Sequence, residues 1–336
     1  MGALRTASLL LLLLMAGCQP AMEPSFDTYL TRLGAIVDAK PPSLGAPDPI
    51  PLPRQRDLML PLPELKVELL DILTLSRCGL GQEIAERNGP LGMSADHLTL
   101  LDYELNLVRR LEGCDSQDPA TRQWLAELAQ TKRAMLPLRA WNALASDPVL
   151  RRQLSPRPPL SEPDPASDQP LESLLHRWLQ LRQSAAGTLD WREQADLLAR
   201  SAQLRGSGEL GRLLYRMESA TLWLDTSTRW LTPLLEALPC GPDPERVVRL
   251  RGALTHYYGK GVQPELSLLE RRFLRLAPLL QQLMAPPAPL PAITPWRLRY
   301  GQGRESGLYL DFRRSIGDHT RLWQRLLARC QVGIRP

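Results

Sequence analysis

The chain has 336 residues, 43% of them hydrophobic and 23% charged, which is ample for a buried core. Its 41 Lys and Arg against 36 Asp and Glu give a formal charge of +5 with both signs interleaved; this excludes a nucleic-acid footprint, which needs basic side chains clustered on one face. Leucine dominates and β-branched residues are scarce, which favours helix over sheet.

The first element is a signal. Arg5 supplies a positive start, Leu9 to Met15 is wholly apolar, and Ala16-Gly17 precede Cys18. That order describes a secretory signal, and the run is too short to span a bilayer, which takes about 20 apolar residues. Met15-Ala16-Gly17-Cys18 resembles the lipobox, in which the Cys thiol takes a diacylglycerol and the signal is cut just before it; Met15 stands where Leu is usual. The resemblance implies a signal peptide over 1–17, a lipidated tether over 18–24 and a mature protein held on a membrane by Cys18. Gln19, in place of Asp, resembles lipoproteins sorted to the outer membrane. A plain signal with a chance Cys is the alternative. Met1-Gly2 with Thr6 also fits an N-myristoylation pattern, against which the leucine run behind it argues.

Proline punctuates the rest. Residues 41–63, 156–170 and 286–295 are Pro-rich and are expected to be extended. Between them apolar residues recur at helical spacing. Ser25 is placed to cap a first helix with Phe26, Leu30, Leu33 and Val37 inward. A second helix starts near Glu64 and carries Leu65, Leu69, Leu73 and Leu80. Ser94 is placed to cap a third, with Leu98, Leu101, Leu105 and Val108 on one stripe. Asp118-Pro119 reads as N-cap and first-turn Pro of a fourth.

The pattern resumes at Leu171–Leu181, Trp191–Leu204 and a long helix through Leu210 and Leu224. Asp243-Pro244 opens another to Tyr258, and Leu266–Leu283 forms the next, with Gly259-Lys260-Gly261 as the loop between them. Trp296-Arg297-Leu298-Arg299-Tyr300 alternates like a strand and predicts a short β-hairpin with Gly307–Leu310. The last helix puts Ile316, His319, Trp323, Leu326 and Cys330 on one side. The fold expected is an all-α multi-helix bundle with Pro-rich loops, one domain over 25–333, which the 156–170 stretch could divide into halves 25–155 and 170–333.

Cys78, Cys114, Cys240 and Cys330 remain after Cys18. An even number in an exported chain points to two disulfides, with three pairings open; buried free thiols are the alternative. Neighbour pairing, Cys78–Cys114 and Cys240–Cys330, ties each half of the chain to itself. With a hairpin turn near Asn88–Met93, an unbroken helix would leave Cys78 and Cys114 about 15 Å apart in level, beyond disulfide reach. The helix from Glu64 is therefore expected to end or bend near Gly79.

Three stretches together resemble a family of proteobacterial predicted lipoproteins classed only as a domain of unknown function. They are Ile84-Ala85-Glu86-Arg87-Asn88-Gly89-Pro90-Leu91-Gly92, then Tyr103-Glu104-Leu105, then His319-Thr320-Arg321-Leu322-Trp323-Gln324 leading to Cys330. Gly89-Pro90 departs from the Ser-polar pair expected there. The resemblance covers most of the mature chain, supports the localisation and implies no chemistry.

No residue pattern specifies a metal, a cofactor or a catalytic apparatus. The four histidines, His97, His176, His256 and His319, lack partners at metal-ligand spacing. His319, one turn from Trp323, reads as a core histidine satisfied by a backbone carbonyl. Glu86-Arg87-Asn88 is a polar cluster that either binds an anion or fixes a helix end through a Glu–Arg pair and an Asn C-cap, the structural role being favoured. Glu86, Arg87, Asn88 and His319 are the candidate polar site. The function expected is that of a non-enzymatic interaction factor of the cell envelope, on the inner leaflet of the outer membrane facing the periplasm, with another envelope protein as partner. A carrier of an apolar ligand such as lipid or cell-wall precursor is the alternative, and a cell-wall or lipid hydrolase comes third.

Overall fold

The computed structural model describes residues 24–63, 75–159, 168–187, 194–240 and 244–331. Cys18, the expected signal and most of the expected tether lie outside them, as do the start of the second expected helix and Asp243. Among the described residues there are helices and no strand. In chain order these are α1 (Pro24–Val37), α2 (Gln55–Leu58), α3 (Gly81–Asn88), α4 (Pro90–Met93), α5 (His97–Glu112) and α6 (Pro119–Ser146). There follow α7 (Pro148–Leu154), α8 (Gln169–Ala185), α9 (Gln194–Gln203), α10 (Glu209–Glu236) and α11 (Pro244–Ala253). A π-helical segment (Leu254–Val262) leads into α12 (Gln263–Leu283), and α13 (Thr294–Tyr300) and α14 (Gly307–Arg329) complete the chain.

Contacts divide the chain into two compact units, and the division does not fall at 156–170. One unit takes residues 1–48, 216–271 and 311–336; the other takes 49–215 and 272–310. The split is interleaved because the first helix packs with elements that come more than 200 residues later.

In the second unit, α5 and α6 pack side by side on Leu75, Leu80, Leu107, Leu111, Leu125 and Leu128. Asp118 caps α6 as its sequence predicts, its carboxylate accepting from Thr121 N–H at 2.9 Å. Ser94 does not cap α5: Asp96 does, accepting from Thr99 N–H at 2.7 Å, while Ser94 Oγ donates to the Pro90 carbonyl. A carboxylate two residues nearer the helix start outcompetes the hydroxyl for the free N–H groups. The helical turn at 75–77 ends at Cys78, and Gly79, with φ +72°, turns the chain. Cys78 and Cys114 are joined, with Cα atoms 5.6 Å apart.

The Pro-rich stretch at 49–60, expected to be extended, includes the short helix α2, and side chains of α6 and α7 bond its backbone. Trp141 Nε1 donates to Leu58 O at 2.7 Å, and Asn142 brackets Leu60, accepting from its N–H at 2.8 Å and donating to its carbonyl at 2.9 Å. Arg151 donates to the Pro53 carbonyl at 2.9 Å. Buried Arg272 grips Asp168 through Nε at 3.0 Å and Nη2 at 2.7 Å.

The expected hairpin at 296–310 is replaced by α13, a short 3-10 turn and the start of α14. Trp296 and Tyr300 are fully buried and Leu298 is 58% exposed. That is the i, i+4 pattern of a helix, since a strand would put all three on one face. Pro295 in the first turn also suits a helix start.

In the first unit, α1 buries Phe26, Tyr29, Leu30 and Leu33, each 2% exposed or less, and leaves Val37 half-buried. Ser25 lies inside the first turn, which Pro24 opens, so it is not the cap; its hydroxyl donates to Glu265 at 2.5 Å. Cys240 and Cys330 are joined, with Cα atoms 5.0 Å apart, and Arg329 beside them donates to the Glu236 and Leu238 carbonyls at the end of α10. Gly259-Lys260-Gly261 is no loop. It belongs to the π-helical segment, which carries the helix from α11 into α12 without a break.

Candidate functional site

The polar cluster at 86–88 forms one wall of a cleft. Gly89 adopts an extended conformation that stops α3, and Pro90 opens α4. A side chain at Gly92 would run into the Arg87 carbonyl, so a glycine is what lets α4 fold back on α3. Arg87 Nη1 then donates to the Gly92 carbonyl at 3.0 Å, and Gln82 donates to Glu86 at 2.9 Å. The resulting cleft, of about 480 Å³, is lined by Glu86, Arg87, Pro90, Ala95, Leu100 and Tyr103 among others.

The wall is braced from the disulfide side. Arg110 pairs with Glu83 and also donates to the Gly79 carbonyl at 2.8 Å, so the turn at Cys78, helix α3 and helix α5 are tied by one guanidinium. Behind Tyr103, Glu104 is buried and takes two cations, Lys132 at 3.0 Å and Arg139 at 3.1 Å. Half-burial, followed by the Glu104 charge, pushes the Tyr103 phenol up to about 12, so it is a neutral donor at any ordinary pH. Asn88 is exposed and is not the C-cap; that position belongs to Gly89, whose N–H donates to Glu86 O at 3.2 Å. Polar geometry and an apolar lining suit this cleft to non-covalent binding.

His319 belongs to the other unit and is fully buried. Side chains satisfy its ring nitrogens, where a backbone carbonyl was expected. Tyr29 Oη lies 2.8 Å from Nε2 and Thr228 Oγ1 lies 2.9 Å from Nδ1. Trp323 Nε1, a donor only, reaches Tyr29 Oη at 2.9 Å and Nε2 at 3.2 Å. Because Tyr29 accepts from Trp323, its own proton is directed at Nε2; Nε2 is then the acceptor, and the ring proton sits on Nδ1 facing Thr228. Burial holds His319 down at about 4 and keeps Tyr29 well above its ordinary value, so this tautomer is neutral at pH 7. Tyr258, from the π segment, closes the cluster with its ring 5.0 Å from the imidazole and its phenol bonded to Thr320.

Tyr29, Thr228 and Tyr258 were not among the candidate residues. Their spacing to His319 is long-range, and Tyr258 stood at the end of an expected helix, just before the stretch read as a loop. Of the four candidates, Glu86 and Arg87 share the cleft, Asn88 stands beside it, and His319 serves a separate cluster. Among the described residues no group of three or more His, Cys, Asp or Glu is placed to hold a metal, and no helix is long and apolar enough to cross a membrane.

These features define an all-helical protein whose four described cysteines form two disulfides. The chain belongs to DUF3080, a family of proteins of unknown function, whose model matches residues 26–334. No curated protein and no solved structure matches the chain.

Proposed function

We propose that this protein is an envelope lipoprotein, cut before Cys18, acylated there and held on the inner leaflet of the outer membrane facing the periplasm. Its role on this reading is non-enzymatic: the cleft beside Glu86 and Arg87 receives part of another envelope protein. The observation that carries the reading is the pairing of all four remaining described cysteines in two disulfides, as befits a chain that folds in an oxidising compartment, downstream of the lipobox-like Met15-Ala16-Gly17-Cys18. The full satisfaction of His319 by Tyr29, Thr228 and Trp323 supports a structural role for the histidine. Met93, 70% exposed beside the cleft, adds apolar surface of the kind that partners cover.

Two measurements test this. A fatty-acid probe should label the wild-type protein and not Cys18→Ser. Cross-linking in intact cells should then recover an envelope protein with the anchored form, and Arg87→Ala with Leu100→Asp should lose it; recovery unchanged by these substitutions rules out the cleft. The apolar lining of the cleft favours one second reading, a carrier of an apolar ligand such as lipid or a cell-wall precursor. Organic extraction of the purified protein would show a stoichiometric lipid in that case and none in the first.

A further inference from the structure

We propose that an exposed stripe along the helix that follows the π segment, made by Lys260, Pro264, Leu268 and Arg271, is the face this protein lays on an anionic lipid surface. The inference rests on the anchoring reading above. All four residues are exposed, and Leu268, at 39%, is one of the few large apolar side chains left in water. Pro264, Leu268 and Arg271 stand at i, i+4 and i+7 of α12 and so share a face. Lys260 precedes them by one turn of the π segment.

Position argues for lipid over protein. The stripe starts where α1 starts. Gly261 lies 3.6 Å from the Cβ of Ser25 at the point where its own Cβ would stand, and Glu265 accepts from the Ser25 hydroxyl at 2.5 Å. Only six residue steps separate Cys18 from Pro24, and a chain of that length reaches about 20 Å at most. An acylated Cys18 therefore keeps Ser25, one step further on, and the beginning of the stripe with it, within about 25 Å of the headgroups.

Charge agrees. The stripe carries Lys260 and Arg271; of the neighbouring carboxylates, Glu270 pairs with Arg313 at 3.2 Å, while Glu265 accepts from the Ser25 hydroxyl on α1 and keeps its charge. Asp27 is exposed in the first turn of α1 and offsets one of the cations. Basic side chains flanking an apolar one match a surface of anionic headgroups over acyl chains.

The test uses the full-length acylated protein in vesicles of phosphatidylethanolamine and phosphatidylglycerol, with photoreactive benzoylphenylalanine at Leu268 or, for comparison, at exposed Gln324 on α14. A phospholipid adduct is expected at Leu268 and not at Gln324. Lys260→Ala with Arg271→Ala should lower it roughly tenfold, as should removal of the anionic lipid. A fatty-acid label on Cys18 is read in the same samples. No label removes the anchoring reading and this inference with it. A labelled protein that gives no adduct at Leu268, or equal adducts at both positions, overturns the inference alone.

Discussion

His319 sits in a cluster where every proton has one place to be. The imidazole is neutral because burial holds it near 4, against an ordinary value of 6.5. The unfolded chain therefore binds a proton between those values that the folded chain refuses. Stability is complete above about pH 6.5 and falls as pH drops towards 4, by about 1.4 kcal/mol per pH unit at most and about 3 kcal/mol in all. Urea midpoints at pH 7, 5.5 and 4.5 should show this decline, and His319→Gln should flatten it while lowering stability at pH 7. A wild-type midpoint that stays level over that range would exclude the neutral imidazole. The histidine itself was legible in the sequence, one turn from Trp323 on an apolar stripe. Its partners were not, because Tyr29 and Thr228 lie 290 and 91 residues away along the chain and no local pattern marks such a pairing.

At the scale of elements, periodicity located the long described helices, missed the short α2, α4 and α7, and misread α13, where two patterns coincide. Trp296 and Tyr300 fit an alternating strand and an i, i+4 helix equally well; only the exposure of Leu298 separates them. The Gly259-Lys260-Gly261 stretch reads as a break by composition, yet the wider π turn absorbs it and carries Tyr258 to the buried side. Since the site of a Cβ on Gly261 is an ordinary 3.6 Å from Ser25, Gly261→Ala should stabilise the fold by roughly 0.5–1 kcal/mol, seen as a higher urea midpoint. A true loop glycine with positive φ would respond in the opposite direction. Asn142 makes a second element-scale prediction. Its amide is the partner of both the N–H and the carbonyl of Leu60, so Asn142→Ala strands two buried backbone groups and should cost about 2–3 kcal/mol. Limited proteolysis should then cut the Pro-rich stretch at 49–60 faster than in the wild type.

The whole chain is organised less by its proline breaks than by which distant segments share a core. Residues 156–170 look like a boundary in composition, but Gln153, fully buried just before them, donates to Ser207 and accepts from Leu210 N–H at the start of α10. The stretch is therefore bridged within one unit. Each disulfide belongs to one unit. With separations of 36 and 90 residues, loop-closure entropy gives about 4 kcal/mol for Cys78–Cys114 and about 4.5 kcal/mol for Cys240–Cys330. Replacing each pair by Ser should destabilise the unit that holds it, seen as a shift of one calorimetric transition. If replacing Cys78 and Cys114 leaves the Tyr103 cleft intact, as judged by tyrosine fluorescence, the brace assigned to Arg110 is sufficient without the bond. Sequence left three cysteine pairings open and favoured the neighbour pairing, which is the one formed; it held no sign of the division into units, which depends on contacts that no local window contains.

The bond between Tyr29 and His319 has a consequence in time. A ribosome adding about 5–20 residues per second makes α1 some 15–60 s before the segment that carries His319 and Trp323. Over that interval Phe26 can meet Trp223 and Tyr29 can meet Tyr258, but Tyr29 lacks the imidazole and indole that complete its hydrogen bonds. A chain that stops before His319 therefore keeps the packing of α1 on the π segment but leaves the buried phenol of Tyr29 without its partners, and should be less stable and more prone to aggregate than the full chain.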